Sequence, residues 1–275
     1  PLSEAATTVL ADGSGADARQ LFEHTGGNPF FITEVLASGA EGVPTTVRDA
    51  VLARVARLPH PTRQALHAAA ALGHRFEAEL LAAVLDVLEV PRWTMRDAVF
   101  AGMLQWDGPT LGFRHALAQA AITRALPAET LQRLHAAILA ELERTTSGPE
   151  GYAALVLHAE GAGDDAAVLR YAPLAAARAA ALSAHRESAA LYAKALGRAR
   201  REPTARRAQL AECHADQLYH SADLAAAAAE FRRAAELWRT AGDDLALGRT
   251  LTRVAAISFL LGQYVDAGAT EIEAF

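Results

Sequence analysis

The chain has 275 residues, enough for about two domains, and 52% of them are hydrophobic while 6% are aromatic. Alanine and leucine dominate the apolar residues, which favours closely packed small helices over sheets. The formal net charge of −6 argues against a nucleic-acid-binding surface. The N-terminal residues do not show the basic-then-apolar pattern of a signal peptide, and no apolar run approaches the roughly 20 residues of a membrane span. The sequence therefore does not indicate a membrane protein. The single cysteine excludes an internal disulfide and indicates a reducing, cytoplasmic location.

Two short helices are predicted at the start of the chain, over residues 3–11 and 15–24. The next segment is a corner formed by Gly26–Pro29, where two glycines free the backbone and the proline fixes φ at the start of a helix. A helix N-terminus at an exposed corner suits an anion or a nucleotide. The alternative is a simple interhelical turn with Phe30 and Phe31 in the core.

The following helix is predicted after the segment Val43–Thr46, because Val47, Val51 and Val55 fall on one helical face. Arg48 lies off that face, where it can reach a phosphate of a nucleotide held elsewhere. The alternative for Arg48 is a solvated arginine or one half of a surface salt bridge.

A winged helix is predicted from Pro59 to about Leu126. Three helices, over residues 62–72, 77–88 and 92–102, precede a hairpin whose turn is Asp107-Gly108-Pro109. A DNA-reading version of this fold needs a basic third helix, and Arg92 and Arg96 beside Asp97 make a poor one. We therefore do not expect this winged helix to bind DNA.

The hairpin ends in Phe113-Arg114-His115, and helices are predicted over 115–126 and 128–144. Imidazole can donate a hydrogen bond to a phosphate and titrates near neutrality, which makes His115 a candidate ligand-binding residue. A helix-cap or core histidine is the equally weighted alternative. The segment Thr145–Pro149 is typical of a linker and is the best domain boundary in the chain.

Everything after this linker is predicted to be helical and repetitive. A small residue, an aromatic and an alanine recur as Ser188, Tyr192 and Ala195 and again as Ala227, Phe231 and Ala234, and a third copy begins at Gly262-Gln263-Tyr264. The period of about 40 residues resembles tetratricopeptide repeats, whose usual period is about 34. Helices are predicted over 151–162, 164–182, 186–200, 205–220, 222–241 and 243–261, and Pro173 is expected to kink the second.

The remaining chemistry-bearing residues have structural explanations. Lys194 is the single lysine and is followed by Ala195, so the chain lacks the Gly-Lys-Ser/Thr of a phosphate-binding loop. Cys213 and His214 are adjacent and point apart on a helix, so Cys213 is interpreted as a core residue and no metal site or catalytic residue is predicted. The acidic pairs at 164–165 and 243–244 are predicted helix caps. The arginines between 198 and 207 are expected to form a solvated turn rather than an RNA site.

A family resemblance connects these segments. The stretches Leu21–Arg57, Phe113–Leu117 and Leu182–Trp238 resemble the large ATP-binding transcriptional regulators of the LuxR type, which belong to the STAND class of P-loop NTPases. The resemblance implies a mostly α fold, with a helical lid at 1–58, a winged helix and connecting helix at 59–146, and a solenoid of tetratricopeptide-like repeats, truncated at its C-terminus, at 147–275.

The same resemblance implies a nucleotide site. Gly27, Asn28 and Pro29 correspond to an element that closes over the adenine, and His115 to a histidine that contacts the diphosphate. Arg48 joins them as a candidate. The nucleotide, ATP or ADP, would be shared with a P-loop domain and coupled to a C-terminal output domain, and the chain would be the middle of a longer protein. This piece alone is expected to be no enzyme and to bind no cofactor, nucleic acid or membrane.

An inducer or partner protein is expected in the groove of the repeats, because the first helix of each pair usually lines the binding surface of such arrays. Those helices are predicted at 151–162, 205–220 and 243–261. Their polar and aromatic side chains are the candidate groove residues, namely Tyr152, His158, His214, Gln217, Tyr219, Arg249 and Arg253. The alternative is that these side chains contact solvent or a neighbouring helix.

Three functions remain open from the sequence. The first is the regulatory and sensor segment of an ATP-dependent LuxR-type regulator. The second is a repeat scaffold that binds a protein and no nucleotide, and the third is a sensor joined to another output such as a cyclase or kinase. A Gly-Lys-Ser/Thr motif upstream would support the first or third, and a helix-turn-helix downstream would separate them.

Overall fold

The chain folds into a mostly helical structure with one small sheet. This computed structural model describes residues 1–12, 14, 16–38, 46–263 and 270. Two compact units are present, Pro1–Glu141 and Leu142–Phe275. The boundary predicted at 146–147 lies close to the division between them, whereas the boundary predicted at 58–59 falls inside the first unit.

Four helices form the N-terminal part of the first unit: α1 (Glu4–Ala11), α2 (Ala18–Thr25), α3 (Pro29–Ser38) and α4 (Val47–Ala56). Ser3, Asp17 and Thr46 start α1, α2 and α4, because their side-chain oxygens accept hydrogen bonds from first-turn amides. Six buried apolar residues from the four helices pack into one cluster: Ala11, Leu21, Phe31, Ile32, Val35 and Ala50. We name this four-helix part the lid segment.

The second part of the first unit has the helix and strand order of a winged helix. Its elements are α5 (His60–Leu72), β1 (Arg75–Glu77), α6 (Ala78–Val87), α7 (Trp93–Phe100), β2 (Leu104–Asp107) and β3 (Thr110–Phe113). The strands form an antiparallel sheet of order β1-β3-β2, with Asp107 opposite Thr110 at the hairpin turn. The predicted hairpin is therefore confirmed.

The expectation of a single hairpin was incomplete, because β1 adds a third strand. This strand has three residues, of which Phe76 is buried, and it runs directly into α6. So short a segment shows no alternation that the sequence could reveal. Gly112 permits the pairing, since a Cβ at that position would lie 2.8 Å from the carbonyl oxygen of His74.

Two further helices, α8 (Ala116–Ala125) and α9 (Ala128–Thr145), follow the sheet. Gln119 Nε2 and Thr123 Oγ1 donate hydrogen bonds of 2.8 and 3.2 Å to the carbonyl oxygen of Ala70. These bonds attach α8 to the end of α5, and they fix where the segment before α8, which contains His115, lies.

The second unit is a succession of antiparallel helices: α10 (Tyr152–Ala162), α11 (Asp165–Ala181), α12 (His185–Arg198), α13 (Thr204–His220), α14 (Leu224–Ala241) and α15 (Asp244–Leu260). The carboxylates of Asp164, Asp223 and Asp243 cap α11, α14 and α15. The predicted capping roles of Asp164 and Asp243 are thus confirmed. Pro173 lies inside α11, which continues on both sides of it.

The repeated motif accounts for the packing of this unit. Its residues on α12 and α14 are all buried: Ser188, Tyr192, Ala195, Ala227, Phe231 and Ala234. Ser188 Oγ also donates a 2.7 Å hydrogen bond to the carbonyl oxygen of Ala176 on α11. Small residues let neighbouring helices approach while the ring fills the space one turn away. The third copy of the motif falls largely on residues 264–267, outside the described residues.

Across the described ranges, every helix is too short or too polar to cross a membrane.

Candidate functional site

The corner Gly26–Pro29 is built as the sequence requires. Gly26 and Gly27 have φ of +57° and +71°, in the left-handed region that favours glycine. Leu2 N donates a 2.7 Å hydrogen bond to the carbonyl oxygen of Gly27, and a Cβ on Gly27 would collide with the carbonyl oxygen of Leu2. Gly27 therefore serves the close approach of the N-terminal segment as well as the turn.

Asn28 and Pro29 start α3. Pro29 has no amide hydrogen, and Asn28 Oδ1 accepts hydrogen bonds from Phe30 N and Phe31 N at 3.1 and 3.3 Å. Ile32 N donates to the carbonyl oxygen of Asn28 at 3.0 Å. Because all these donors are used, the geometry favours capping by Asn28 over a direct contact between this helix N-terminus and a phosphate. The exposed ring of Pro29 remains accessible.

Phe30 and His115 lie against each other, although 84 positions separate them in the sequence. Their ring centroids are 4.0 Å apart, and the ring planes are tilted by 39°. Phe31 is buried in the core, whereas Phe30 is half-buried and faces the histidine. The structure thus brings together two motifs that the sequence analysis singled out separately, the corner and the Phe-Arg-His segment.

A buried ion pair lies next to this contact. Arg54 Nη1 donates to Glu34 Oε1 at 2.5 Å, and the side chains of Arg54 and Glu34 are 18% and 5% exposed. Arg54 Nη2 also donates to the carbonyl oxygen of Ala101, just after α7. Arg54 therefore joins α3 and α4 of the lid segment to the winged helix.

Burial raises the pKa of the Glu34 carboxyl above its ordinary value, although the positive charges of Arg54 and Arg114 oppose this shift. Glu34 Oε2 is buried and has no hydrogen-bond partner among the described residues. Burial also lowers the pKa of His115, assisted by the charges of Arg114, Arg54 and His74. His115 is consequently neutral at physiological pH, in surroundings where three of the nearby groups carry or can carry positive charge.

We name Phe30, Glu34, Arg54, Arg114 and His115 the junction cluster. Arg48, on the first turn of α4, does not belong to it, because its charge is not among those that shift the pKa of Glu34 or of His115. Sequence reasoning identified His115 and missed Arg54 and Glu34. These two residues are on different helices, and their pairing depends on how α3 and α4 pack. For Arg114, the sequence offered one indication, its position next to His115.

The seven predicted groove residues have varied surroundings in the second unit. His158 is 3% exposed and does not face solvent, which rules it out as a groove-lining side chain in this structure. Gln217 Oε1 lies 3.0 Å from His185 Nδ1. The Tyr152 ring stacks with Tyr171, and the Tyr219 ring meets His220 edge-on.

The predicted arginines of α15 also differ from one another. Both are exposed, but Arg253 forms an ion pair with Asp216 and lies 5.5 Å from the ring centroid of Phe231, contacts that Arg249 does not make among the described residues. His214 lines two adjoining cavities beside α12 and α13. His214 thus lies in a concave surface of the second unit.

Cys213, the neighbour of His214, is half-buried. Burial raises the pKa of its thiol, and burial together with Cys213 raises the pKa of Tyr192 to about 12. Both groups stay protonated, which fits the predicted packing role of Cys213. Within the described ranges no cluster of histidine, cysteine and acidic side chains could hold a metal ion.

Comparisons with known proteins found no matching family model and no matching curated protein. The crystal structure of a Signal Transduction ATPase with Numerous Domains (STAND) protein with a tetratricopeptide repeat sensor, from Pyrococcus horikoshii, aligns with 99% of this chain and 53% of its own, at 13% identity and a TM-score of 0.47. BtubC (BKLC) from P. vanneervenii aligns with 100% of this chain and 90% of its own, at 13% identity and a TM-score of 0.41. This chain spans about half the length of the P. horikoshii protein. At these values neither likeness carries an argument about function.

Proposed function

We propose that this chain is the regulatory and sensor segment of a larger ATP-dependent transcriptional regulator of the LuxR type, in the STAND class. Its lid segment and winged helix would respond to a nucleotide, and its repeats would receive the inducer or partner. The observation that carries this proposal is the contact between the Phe30 and His115 rings. It joins two of the three stretches on which the family resemblance depends.

The residues of the junction cluster suit contact with a nucleoside diphosphate held by a P-loop domain of the same parent protein. The neutral imidazole of His115 can donate a hydrogen bond to a phosphate oxygen, and Arg54 and Arg114 make its surroundings attractive to an anion. Pro29 is exposed and offers an apolar surface to the adenine. When bound, the diphosphate supplies the negative charge to which these residues respond.

The ion pair between Arg54 and Glu34 gives this contact a structural consequence. Arg54 holds a carboxylate of α3 and a carbonyl oxygen after α7 at the same time. An anion close to His115 would compete with Glu34 for the positive charge of the cluster. In the proposed switch, the arginines of the cluster pair either with the Glu34 carboxylate or with the nucleotide. The change of partner would alter how the lid segment packs against the winged helix.

A protein-binding scaffold without nucleotide is the second candidate. The observation that favours it is a set of large apolar side chains exposed on the helices of the second unit: Leu157, Leu174, Leu245, Phe259 and Leu260. Where such side chains form a contiguous patch, they are common at sites of protein association. A sensor joined to a cyclase or kinase remains a variant of the first proposal and differs from it in the output domain.

The proposal is tested first in the coding sequence around these residues. We expect a Gly-Lys-Ser/Thr motif before Pro1 and a helix-turn-helix after Phe275.

In a reporter assay of the intact parent, His115→Ala should raise basal output without inducer, because it removes a hydrogen-bond donor to the phosphate in the ADP-bound, closed state. His60→Ala is the control, since His60 is an exposed histidine outside the cluster. Unchanged output of His115→Ala at normal protein levels would count against the proposal.

A further inference from the structure

A cavity of about 330 Å³ lies beside α12, α13 and α14 in the second unit. Its polar lining consists of three arginines, Arg200, Arg207 and Arg233, and of His214. Small residues make up much of the remaining wall, including Gly197 and Ala193. The cavity is therefore a concave surface with positive charge and with room between the side chains. We name it the arginine cavity.

Two of its arginines lack a compensating charge. Neither Arg200 nor Arg207 forms an ion pair with any residue in the described part of the chain. Their neighbour Arg198 shows the contrast, because it pairs with Glu160 and Asp165 at 3.9 and 3.3 Å. The charges of Arg200 and Arg207 are therefore available to a ligand.

An acidic residue in contact with the cavity lining, Glu230, is already engaged. Glu230 Oε1 accepts a hydrogen bond from Arg233 Nη1 at 3.1 Å and lies 3.7 Å from His214 Nδ1. Burial alone would raise the pKa of Glu230, but His214 and Arg233 hold it below its ordinary value, so the group is ionised. Its negative charge is balanced by Arg233, and it leaves Arg200 and Arg207 uncompensated.

A second cavity of about 630 Å³ adjoins the first, and His214 and Ala193 line both. Its lining combines small and apolar residues with polar ones besides His214, namely Arg186, Ser221 and Asp223. The carboxylate of Asp223 is occupied in capping α14 through Ala226 N. The first cavity thus offers an end lined by three arginines, and the second offers an end of mixed polarity that contains both an arginine and an aspartate.

We propose that the arginine cavity binds a small organic anion with a phosphate or carboxylate group. Arg200 and Arg207 hold the anionic group through charge-assisted hydrogen bonds, and the rest of the molecule extends past His214 into the adjoining cavity. If the repeats are the sensor, as proposed above, the inducer is an organic anion of this class. Binding itself is independent of nucleotide.

The chain offers a matched pair of variants for the test. Arg200→Gln with Arg207→Gln removes two charges from the cavity lining. Arg201→Gln with Arg206→Gln removes two charges from adjacent positions that do not line it, since Arg206 instead contacts Gln209. Both double variants carry the same change in net charge, so they separate the site from the general field of the protein.

Gly197 provides a third, steric variant. A Cβ at this position has no atom within 4 Å, so the space beside it is open cavity. Gly197→Leu fills that space, and replacing glycine inside a helix favours helix formation, so the variant is expected to fold.

The probes for calorimetric titration of the 275-residue chain are inorganic phosphate, pyrophosphate and citrate. We expect binding by the wild-type chain, with citrate ahead of pyrophosphate if the natural ligand is a carboxylate and the reverse if it is a phosphate. Each arginine should contribute roughly tenfold to the dissociation constant, so Arg200→Gln with Arg207→Gln weakens binding by about a hundredfold. Gly197→Leu should abolish it, and the Arg201 and Arg206 pair should change it by less than about threefold.

Equal losses in the two double variants would overturn the proposal, because binding would then reflect general charge. An absence of binding for all three probes would also overturn it. Either failure leaves the nucleotide proposal standing, since His115 belongs to the other unit and its reporter assay does not depend on the arginine cavity. Conversely, if His115→Ala leaves the basal output of the parent unchanged, the proposed anion binding by the cavity still stands.

Discussion

The junction cluster and the arginine cavity both contain arginines, but the charge of Arg54 is paired with a carboxylate, whereas among the described residues the charges of Arg200 and Arg207 are not. Arg54 is largely buried and paired with Glu34, which is itself almost fully buried. Arg200 and Arg207 line a cavity and have no acidic partner in the described part of the chain. A buried, compensated arginine fixes the position of the elements around it, whereas an uncompensated arginine in a cavity keeps its charge available for a ligand.

The largest expected effect comes from breaking the compensated pair. Arg54→Ala leaves the Glu34 carboxyl buried without its cation, which should cost about 3–5 kcal/mol in the free energy of unfolding. Urea denaturation of the chain measures this loss. Arg48→Ala on the same helix is the control and should stay within about 0.5 kcal/mol, because Arg48 is exposed.

The same comparison can be sharpened by removing both charges together. Glu34→Gln with Arg54→Met keeps similar volumes and takes away the uncompensated charge, so it should recover most of the stability that Arg54→Ala loses. A double variant as unstable as Arg54→Ala would show that the lost hydrogen bonds of Arg54, including the one to Ala101, cause the effect rather than the buried charge of Glu34.

An intermediate effect is expected at Arg253, which is paired but half-exposed. Arg253→Ala removes the ion pair with Asp216 and the contact with the Phe231 ring, and should cost about 1 kcal/mol. Arg249→Ala should change stability by less than about 0.5 kcal/mol. A combined replacement of Arg249 and Arg253 therefore mixes structure with ligand binding, and Arg249→Ala alone is the cleaner test of the predicted groove. Equal losses in the two single variants would contradict this difference.

The smallest expected effect is the pH dependence that His115 contributes. Since the pKa of His115 in the folded state lies below that of the unfolded chain, the unfolded state binds protons more readily. The contribution of His115 to stability is therefore complete above about pH 6.5 and is lost as the pH falls from there through the folded-state pKa. Thermal unfolding at pH 7.5 and 5.5 should show a smaller acid-induced drop in Tm for His115→Gln than for the wild type.

His67 and His135 have lowered pKa values for the same first reason, burial, and they contribute to the same drop in Tm. The difference between His115→Gln and the wild type isolates the share of His115. An identical drop in both proteins would mean that His115 titrates alike in the folded and unfolded chains.

The sequence predicted the helices well because alanine-rich, one-faced patterns and capping aspartates mark them locally. Asp164 and Asp243, for example, start α11 and α15 as expected. Strand β1 was not predicted, because a strand of three residues is too short to show the alternation of polar and apolar residues. Its pairing depends on Gly112, which is more than 30 positions away. Local signals thus define elements, and distant partners define the short strand.

The candidate sites divide along the same line. His115 and the corner were identified through motifs, but their contact through Phe30 required the fold. The Glu34–Arg54 pair and the arginine cavity were not predicted, since each depends on side chains from separate helices. The arginines between 198 and 207 were expected to form a solvated turn, and the sequence could not show that two of them line a cavity while Arg198 is paired.

The most direct measurement is a calorimetric titration with ADP of the intact parent protein and of this chain alone. We expect tight binding by the parent, a roughly tenfold or greater loss of affinity in the parent carrying His115→Ala, and no tight binding by the chain alone, which lacks a phosphate-binding loop. His60→Ala should leave the affinity unchanged. Micromolar binding by the chain alone, or an unaltered affinity in a folded His115→Ala parent, would contradict the proposed role of the junction cluster.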